Sequence, residues 1–390
     1  MVPLQAQFII QQLKLAGFEA FVVGGFVRDH ILGLESNDID LSTSASPDQI
    51  LDIFSKYPKS EIGKDHGTIG VKIDDLWIEI TTFRVDLEYH KHRKPKGVIF
   101  SLDLKEDVLR RDFTMNALAM DEEGQILDFV GGIKDLEERC LRTVGPAHER
   151  FKEDALRILR ALRFAARLDF KIEEETQKAI HEDCHLLLNL ASERIFDELS
   201  KLLDAHKVSR IMQDNLEVLC IVLPEARLSQ HIDKMDLVHS KLRWLILFEG
   251  STIEEVLHRL RVLKTSNAFK NEMYSSLMCI RENAFETDIE CKLRLKQYGL
   301  EAVKTSIEYF NLVLNDPKSM YMQALLESVI ETKACYQLKD LAINGQDCLR
   351  LGLKGESIKT YLNRILLEVI YNRLENKHEV LIGYLKNHLS

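Results

Sequence analysis

Two aspartates, Asp38 and Asp40, are separated by one residue and follow a glycine pair at Gly24 and Gly25. The apolar run 21–23 before the glycines is typical of a buried strand. Side chains alternate along a strand, so we expect both carboxylates to project from one face. Such a pair suits Mg²⁺, which completes its coordination with phosphate oxygens and water. The spacing therefore predicts a metal site for phosphoryl or nucleotidyl transfer. The alternative is a solvated turn, because Asn, Asp and Gly are common in turns.

The glycine pair is also suited to phosphate binding. Glycine lets the backbone turn sharply and approach a ligand closely. Arg28 follows at the start of a helix predicted over 28–32, where an anion is favoured. Further along, strands are predicted over 68–73 and 77–83 as a hairpin, and Glu79 interrupts the second strand. Carboxylates are rarely buried without a partner, so Glu79 is either a third carboxylate near the metals or a residue on a solvated edge.

A second polar run, over 110–118, contains Arg111, Asp112 and Asn116. A guanidinium can bind phosphate through two parallel hydrogen bonds, so Arg111 is predicted to contact triphosphate oxygens. Asp112 and Asn116 are predicted to meet the ribose or to brace the loop. The alternative is surface ion pairing at the start of an amphipathic helix, which contributes little to stability.

A third polar pattern lies on a helix predicted over 149–167. Residues three apart share a helix face at about 100° per residue, and one such stripe comprises Asp154, Arg157, Arg160 and Arg163. Alternating acid and base on a helix is most often solvated pairing. The functional alternative is base recognition, because a carboxylate accepts from an exocyclic amino group and a guanidinium donates to ring acceptors. Cytosine and adenine offer that pattern, whereas uracil and guanine present a carbonyl that would leave the Asp154 carboxylate unpaired.

These motifs, in this order, resemble those of the class II tRNA nucleotidyltransferase and bacterial poly(A) polymerase family. The matching segments are GGFVRD (24–29), DID (38–40), RRDFTMNAL (110–118), DFVGGIKDL (128–136), EDALR (153–157) and SERIFDE (192–198). The resemblance covers the first half of the chain strongly and the second half weakly.

The resemblance implies that the enzyme builds the 3′-terminal CCA of tRNA from CTP and ATP without a nucleic-acid template, as a CTP(ATP):tRNA nucleotidyltransferase. The alternatives are a poly(A) polymerase, a partial enzyme that adds only CC or only A, and a non-catalytic RNA-binding protein. The basic segment 89–97 is predicted to be a loop, and the resemblance implies that addition of the terminal A requires it. The surrounding segment 84–107 looks complete, which argues against an enzyme that adds only CC but not against one that adds only A.

For the site, the resemblance implies that Asp38 and Asp40 hold two Mg²⁺ ions, and it favours Glu79 as a further catalytic carboxylate. Glu153 is expected to orient Arg157. The residues expected to bind the nucleotide are Gly24, Gly25, Arg28, Arg111, Asp112, Asn116, Asp154, Arg157, Arg160 and Arg163.

Composition sets the frame for these motifs. The 390 residues are 45% hydrophobic and 29% charged, as in an ordinary globular protein with room for two to four domains. A net charge of −10 argues against a uniformly basic surface but allows a local basic groove.

The expected fold class is α+β. A mixed α/β head resembling polymerase beta over 1–140 would precede an all-α neck over 141–205, a body over 206–270 and a tRNA-binding tail over 271–390.

Cysteine usage and hydropathy bear on location. The seven cysteines are scattered without CxxC pairs, which indicates reduced thiols in a cytoplasmic chain. The N-terminus lacks the build of a signal peptide, and no apolar run approaches the length of a membrane span. The expected partners are tRNA, CTP and ATP, with no membrane, and the protein is expected to be a monomer or a homodimer.

Overall fold

The computed structural model describes residues 2–36, 38–86, 89–90, 94–95 and 98–389. The chain forms two compact units, Met1–Arg227 and Leu228–Ser390. The finer division predicted at 140, 205 and 270 stays a prediction. Within the predicted basic loop 89–97, residues 91–93 and 96–97 lie outside the described residues.

The strands of the first unit are short. They are β1 Ala20–Val23, β2 Asp40–Thr43, β3 Lys59–Ser60, β4 Thr68–Ile73, β5 Leu76–Thr82, β6 Arg84–Asp86, β7 Tyr89–His90, β8 Lys94–Pro95, β9 Val98–Phe100, β10 Leu118–Met120, β11 Ile126–Asp128, β12 Cys140–Leu141 and β13 Lys171–Ile172. Seven of them form one sheet in the order β11-β10-β1-β2-β5-β4-β3. In this sheet β2 and β5 are parallel, and the other neighbouring strands are antiparallel.

Helices flank the sheet and then continue alone. Those of the first unit are α1 Leu4–Leu15, α2 Gly25–Ile31, α3 Pro47–Ile53, α4 Leu104–Leu109, α5 Gly132–Glu137, α6 Ala147–Glu153, α7 Leu156–Leu168, α8 Glu174–Asp183, α9 Ser192–Leu203, α10 Val208–Asp214 and α11 Leu216–Val222. A mixed α/β head followed by helices confirms the predicted α+β fold class.

The strand around the aspartates has the predicted alternation. Ile39 and Leu41 are buried, whereas Asp38 is exposed and Asp40 is half-buried. On the buried side, α1 and α3 pack near the sheet and contribute Ile9 and Ile50 to the core. Burying one face of the sheet leaves the opposite face available for polar side chains. The predicted hairpin is confirmed, since β4 and β5 pair antiparallel.

The prediction of one helix over 149–167 is wrong in one respect, because the structure has two helices there, α6 and α7. Asp154 lies between α6 and α7 with extended backbone angles, φ −141° and ψ 105°. Its Oδ1 accepts a hydrogen bond from the Leu156 amide at 3.1 Å. A short acidic side chain that bonds the backbone two residues ahead competes with the helical hydrogen bonds. The apolar periodicity continues across the break, so it conceals the interruption.

The second unit is built from helices. They are α12 Ser240–Leu247, α13 Ile253–Val262, α14 Asn267–Arg281, α15 Asp288–Tyr298, α16 Leu300–Glu308, α17 Lys318–Glu331, α18 Gly345–Arg350, α19 Glu356–Ile370 and α20 His378–Leu389. One apolar cluster surrounds Phe285 and Met322, and another surrounds Ile365 and Leu381. Across the described parts of both units, no helix combines the length and apolarity needed to cross a bilayer.

We expect Gly132→Ala to destabilise the first unit by about 2 kcal/mol or more, as overpacking of a rigid site does. A Cβ at Gly132 would lie 2.2 Å from the Thr114 carbonyl oxygen, and backbone cannot move aside cheaply. Thermal unfolding followed by circular dichroism measures the effect. The control is Gly383→Ala in α20, where a Cβ meets nothing within 4 Å. An unchanged melting temperature for Gly132→Ala would contradict the expected clash.

Candidate active site

Three predicted carboxylates lie together on the open face of the sheet. Asp40 and Glu79 are direct neighbours in the register of β2 and β5, and Asp38 lies just before β2. Burial, followed by the charges of Asp38 and Glu79, raises the pKa of Asp40 to about 6, although the Arg111 guanidinium opposes the shift. Asp38 and Asp40 of the first polar motif therefore lie beside Glu79, the acid within the second strand of the hairpin.

This donor set fits a hard divalent cation. Such ions prefer carboxylate oxygens, and a cation here would offset the repulsion among three negative groups. Among the described residues, no three His, Cys, Asp or Glu side chains converge closely enough to enclose an ion on their own. Mg²⁺ commonly takes few protein ligands and retains water and phosphate oxygens.

Arg111 lies against the glycine turn. Gly24 has φ 75°, and a Cβ at this position would lie 3.0 Å from Arg111 Nη1. The guanidinium donates to Asp107 Oδ2 at 3.3 Å and contacts Ser42 Oγ at 3.5 Å. Asp107 is fully buried, and although burial opposes it, the charges of Arg110 and Arg111 lower the pKa of Asp107. The structure therefore holds a fixed cation beside Asp40.

Arg28 is buried and connects the first motif to the second. It donates through Nε to Asp29 Oδ1 at 2.8 Å and through Nη1 to Asn116 Oδ1 at 2.7 Å. Burial lowers the pKa of Arg28, and the Asp29 carboxylate opposes that shift. In this structure Asn116 accepts from Arg28, and its predicted contact with the ribose stays a prediction.

Asp112 extends the same network to helix α7. Its Oδ1 accepts from Asn116 Nδ2 at 3.3 Å, and its Oδ2 accepts from Arg160 Nε and Nη2 at 2.8 and 2.5 Å. Burial is the largest single effect and opposes ionisation of Asp112, but the charge and hydrogen bonds of Arg160, helped by Arg157 and Asn116, together lower the pKa of Asp112. The second motif is thereby tied to α7 through an ion pair whose carboxylate is buried.

Three guanidinium groups surround the ring of Phe164. The central carbons of Arg28, Arg160 and Arg163 lie 5.4, 5.3 and 4.3 Å from the ring centroid. Cations near an aromatic face are attracted by its quadrupole. Arg163 also pairs with Glu198 at 2.9 Å. The predicted contacts of Arg160 and Arg163 with the nucleotide stay predictions, and in this structure carboxylates hold both side chains.

Asp154 and Arg157, the acid and the base predicted to recognise the nucleotide base, have separate partners. Arg157 is buried and donates to Glu153 Oε2 at 2.5 Å, so the structure brings together the pair in which Glu153 is expected to orient Arg157. Arg157 Nη2 also donates to the Arg110 carbonyl at 3.1 Å. Asp154 instead pairs with Arg194 at 2.8 Å. Each of the two base-reading candidates is therefore positioned by its own neighbour.

Sequence reasoning missed Asp107, Phe164 and Glu198. Asp107 had a usable signal, because an acid three and four residues before two arginines can pair with both on one helical turn. Phe164 had none, since an aromatic residue on an apolar stripe is typical of a core. Glu198 lies in the SERIFDE segment, but nothing in that segment indicates its partner. Its pairing with Arg163 arises from the contact between α7 and α9, which the local pattern does not encode.

Family models match most of the chain. The "Poly A polymerase head domain" matches residues 20–142, and the "Probable RNA and SrmB- binding site of polymerase A" matches residues 169–227. A tRNA nucleotidyltransferase domain 2 matches residues 236–385. The head matched by the first model contains the sheet, the carboxylates and Arg111. Fold and site together define a nucleotidyltransferase of the poly(A) polymerase head class.

Curated relatives narrow this class. The CCA-adding enzyme of Staphylococcus haemolyticus is 36% identical, and the match covers 99% of this chain and 98% of the relative. The CCA-adding enzyme of Geobacillus kaustophilus is 34% identical, with 98% and 96% covered. The chain therefore belongs to the CCA-adding enzyme family of tRNA nucleotidyltransferases. The family and class of enzyme predicted from the sequence are confirmed.

Solved structures agree with this assignment. The crystal structure of the Bacillus stearothermophilus CCA-adding enzyme in complex with CTP matches with a TM-score of 0.84 and 31% identity, covering 100% of this chain and 98% of that one. The Thermotoga maritima CCA-adding enzyme complexed with tRNA matches with a TM-score of 0.69 and 21% identity, covering 98% and 94%. At that lower identity the second likeness supports the fold alone.

We expect the Asp112–Arg160 pair to show a coupling free energy of about 2 kcal/mol in a double-mutant cycle of Asp112→Asn and Arg160→Gln. The Asp112 side chain is 10% exposed and the Arg160 side chain 32% exposed, so removing the arginine leaves a buried carboxylate without its partner. Urea unfolding of the four proteins measures the coupling.

The matched control for this cycle is the exposed pair Asp197–Lys201 on α9, which has a 2.6 Å contact. Exposed pairs of this kind contribute about 0.5 kcal/mol or less. Equal coupling for the two pairs would show that the buried network adds no special stability.

Proposed function

We propose that this chain adds the 3′-terminal CCA to tRNA in the cytoplasm, using CTP and ATP without a template and releasing pyrophosphate. The observation that carries the proposal is the meeting of Asp38, Asp40 and Glu79 beside the fixed Arg111. It occurs in a chain that matches CCA-adding enzymes along nearly its whole length. A structural relative at 31% identity holds CTP.

Asp38 and Asp40 would hold two Mg²⁺ ions, with Glu79 beside them. When bound, such ions lower the cost of developing charge on the attacking and leaving oxygens. The protein's own part is to fix the triphosphate. Arg111 supplies a bidentate donor next to Gly24, where the lack of a side chain lets phosphate approach the backbone.

Base choice is assigned to Asp154 and Arg157. The Asp154 carboxylate would accept from the amino group of cytosine or adenine, and each carboxylate oxygen has two lone pairs, so Arg194 can stay bound. Glu153 holds the Arg157 guanidinium in place. Uracil or guanine would set a carbonyl against the carboxylate, which is costly in a desolvated site.

The test uses purified protein, Mg²⁺ and tRNA transcripts ending before CCA, after C and after CC. Each transcript is offered CTP, ATP, UTP and GTP separately and together. Addition of C, C and A in turn, with U and G refused, supports the proposal. Long A tails on any RNA would identify a poly(A) polymerase. A stop after CC, or action on CC ends only, would identify a partial enzyme. Tight tRNA binding without incorporation would overturn the catalytic proposal.

We expect Asp40→Asn to lower kcat for CMP addition by about a thousandfold or more, because it removes a metal ligand. Single-turnover incorporation of labelled CTP measures the rate. The control is Asp48→Asn, an exposed carboxylate on α3 that pairs with Lys64. Its rate should equal that of the wild type. Retained activity in Asp40→Asn would contradict the assigned role.

We expect Asp154→Asn to lower the preference for CTP over UTP by about a hundredfold, because an amide can donate to the uracil carbonyl. The preference is the ratio of kcat/KM values on a tRNA that ends before CCA. Asp169→Asn, an exposed change at the end of α7, is the control. If the ratio in Asp154→Asn equals that of the wild type, this carboxylate does not select the base.

A further inference from the structure

A groove of about 560 Å³ opens on the head beside the carboxylates, and Glu79 forms part of its wall. Ser60, Ile62, Gly70 and Trp77 also line it. It lies toward the β4–β3 edge of the sheet, whereas Gly24 and Arg111 lie toward β1 and β10. The groove is thus on the opposite side of the carboxylates from the expected phosphate site.

Strand register connects the groove to the carboxylates. Asp40 pairs with Glu79, Glu79 with Gly70, and Gly70 with Ser60, which makes one row across four strands. Residues directly opposite each other in a sheet share a face, so the row runs from Asp40 to the sheet edge on the open face. Gly70 leaves room in this row.

Trp77 stands beside that row. It is two residues from Glu79 on β5, so the two side chains share a face. A Cβ at Gly70 would lie 3.6 Å from the Trp77 ring, which places the indole against the open floor. Trp77 is 50% exposed and Ile62 is 97% exposed, whereas the other tryptophan, Trp244, is 3% exposed. Large apolar side chains exposed together beside a reactive centre are typical of a binding surface.

The reaction requires two substrates to meet at the carboxylates from different sides. The arginines on the β1–β10 side are suited to the triphosphate, which leaves the groove for the chain that carries the attacking hydroxyl. Aromatic side chains bind single-stranded nucleic acid by stacking on its bases, largely independently of sequence. Glu79 and Trp77 are separated by about 6.6 Å along the strand. A base on Trp77 therefore allows its own ribose to reach Glu79.

We propose that this groove binds the single-stranded acceptor end of the tRNA, with its 3′-terminal base stacked on Trp77 and its 3′-hydroxyl directed to Asp40 and Glu79. The proposal rests on the proposed function, because it names the subsite of the second substrate. Trp77 is a binding and positioning residue here, and no chemical step passes through it.

Fluorescence gives a direct test. In a Trp244→Phe background Trp77 is the sole tryptophan. We expect its emission to be quenched on binding a tRNA that ends in CC. A transcript that ends at the last base pair of the acceptor stem should bind with much less quenching. Equal quenching by both transcripts, or none by either at saturation, would overturn the proposal.

Kinetics give an independent test. We expect Trp77→Ala to raise the KM for tRNA about tenfold and to leave the KM for CTP unchanged, while Trp77→Phe keeps values near the wild type. A misfolded variant would instead lose activity toward both substrates, and Trp77→Phe controls for this. An unchanged KM for tRNA in Trp77→Ala would overturn the proposed acceptor subsite and leave the proposed function standing. A wild type that adds no nucleotide would overturn the proposed function, and the quenching experiment would still decide the groove.

Discussion

The contact between the buried Asp112 carboxylate and Arg160 is the interaction on which the rest of the site depends. It joins a loop of the head to helix α7. Asp112 also accepts a hydrogen bond from Asn116, and Arg160 also lies against the Phe164 ring. Through Asn116 the contact reaches Arg28 and the glycine turn. Buried charges are costly unless they are paired, so each link constrains the next. The head and α7 are therefore expected to hold one mutual arrangement.

This network explains how a protein with net charge −10 can hold several arginines beside its carboxylates. Each of these arginines is paired with an acid: Arg28 with Asp29, Arg111 with Asp107, Arg160 with Asp112 and Arg163 with Glu198. The guanidinium groups keep their positions without a ligand, so binding a triphosphate requires little rearrangement. Preorganised charge of this kind favours the transition state, because no reorganisation is needed as charge develops. The net charge of the whole chain therefore does not indicate which charged groups surround the site.

Much of the fold could be predicted from the sequence, but less of the site's connectivity. The hairpin of β4 and β5 and the burial of Ile39 and Leu41 follow from alternation, which is a local property. The meeting of Glu79 with Asp40 depends on a parallel pairing across 39 residues of chain, which periodicity does not encode. The break at Asp154 is the converse case: a single side-chain hydrogen bond overrides a strong helical pattern.

The geometry at Gly24 has a consequence for how this site can vary. Its φ of 75° and ψ of −131° lie outside the left-handed helical region that asparagine tolerates, so the backbone at this position favours glycine. Arg111 adds a softer constraint, because a Cβ would lie 3.0 Å from Nη1, at the end of a flexible side chain that can move. The backbone angles cannot be relieved by any change at position 111. Position 24 is therefore expected to stay glycine through its own conformation, whichever residue lies opposite it.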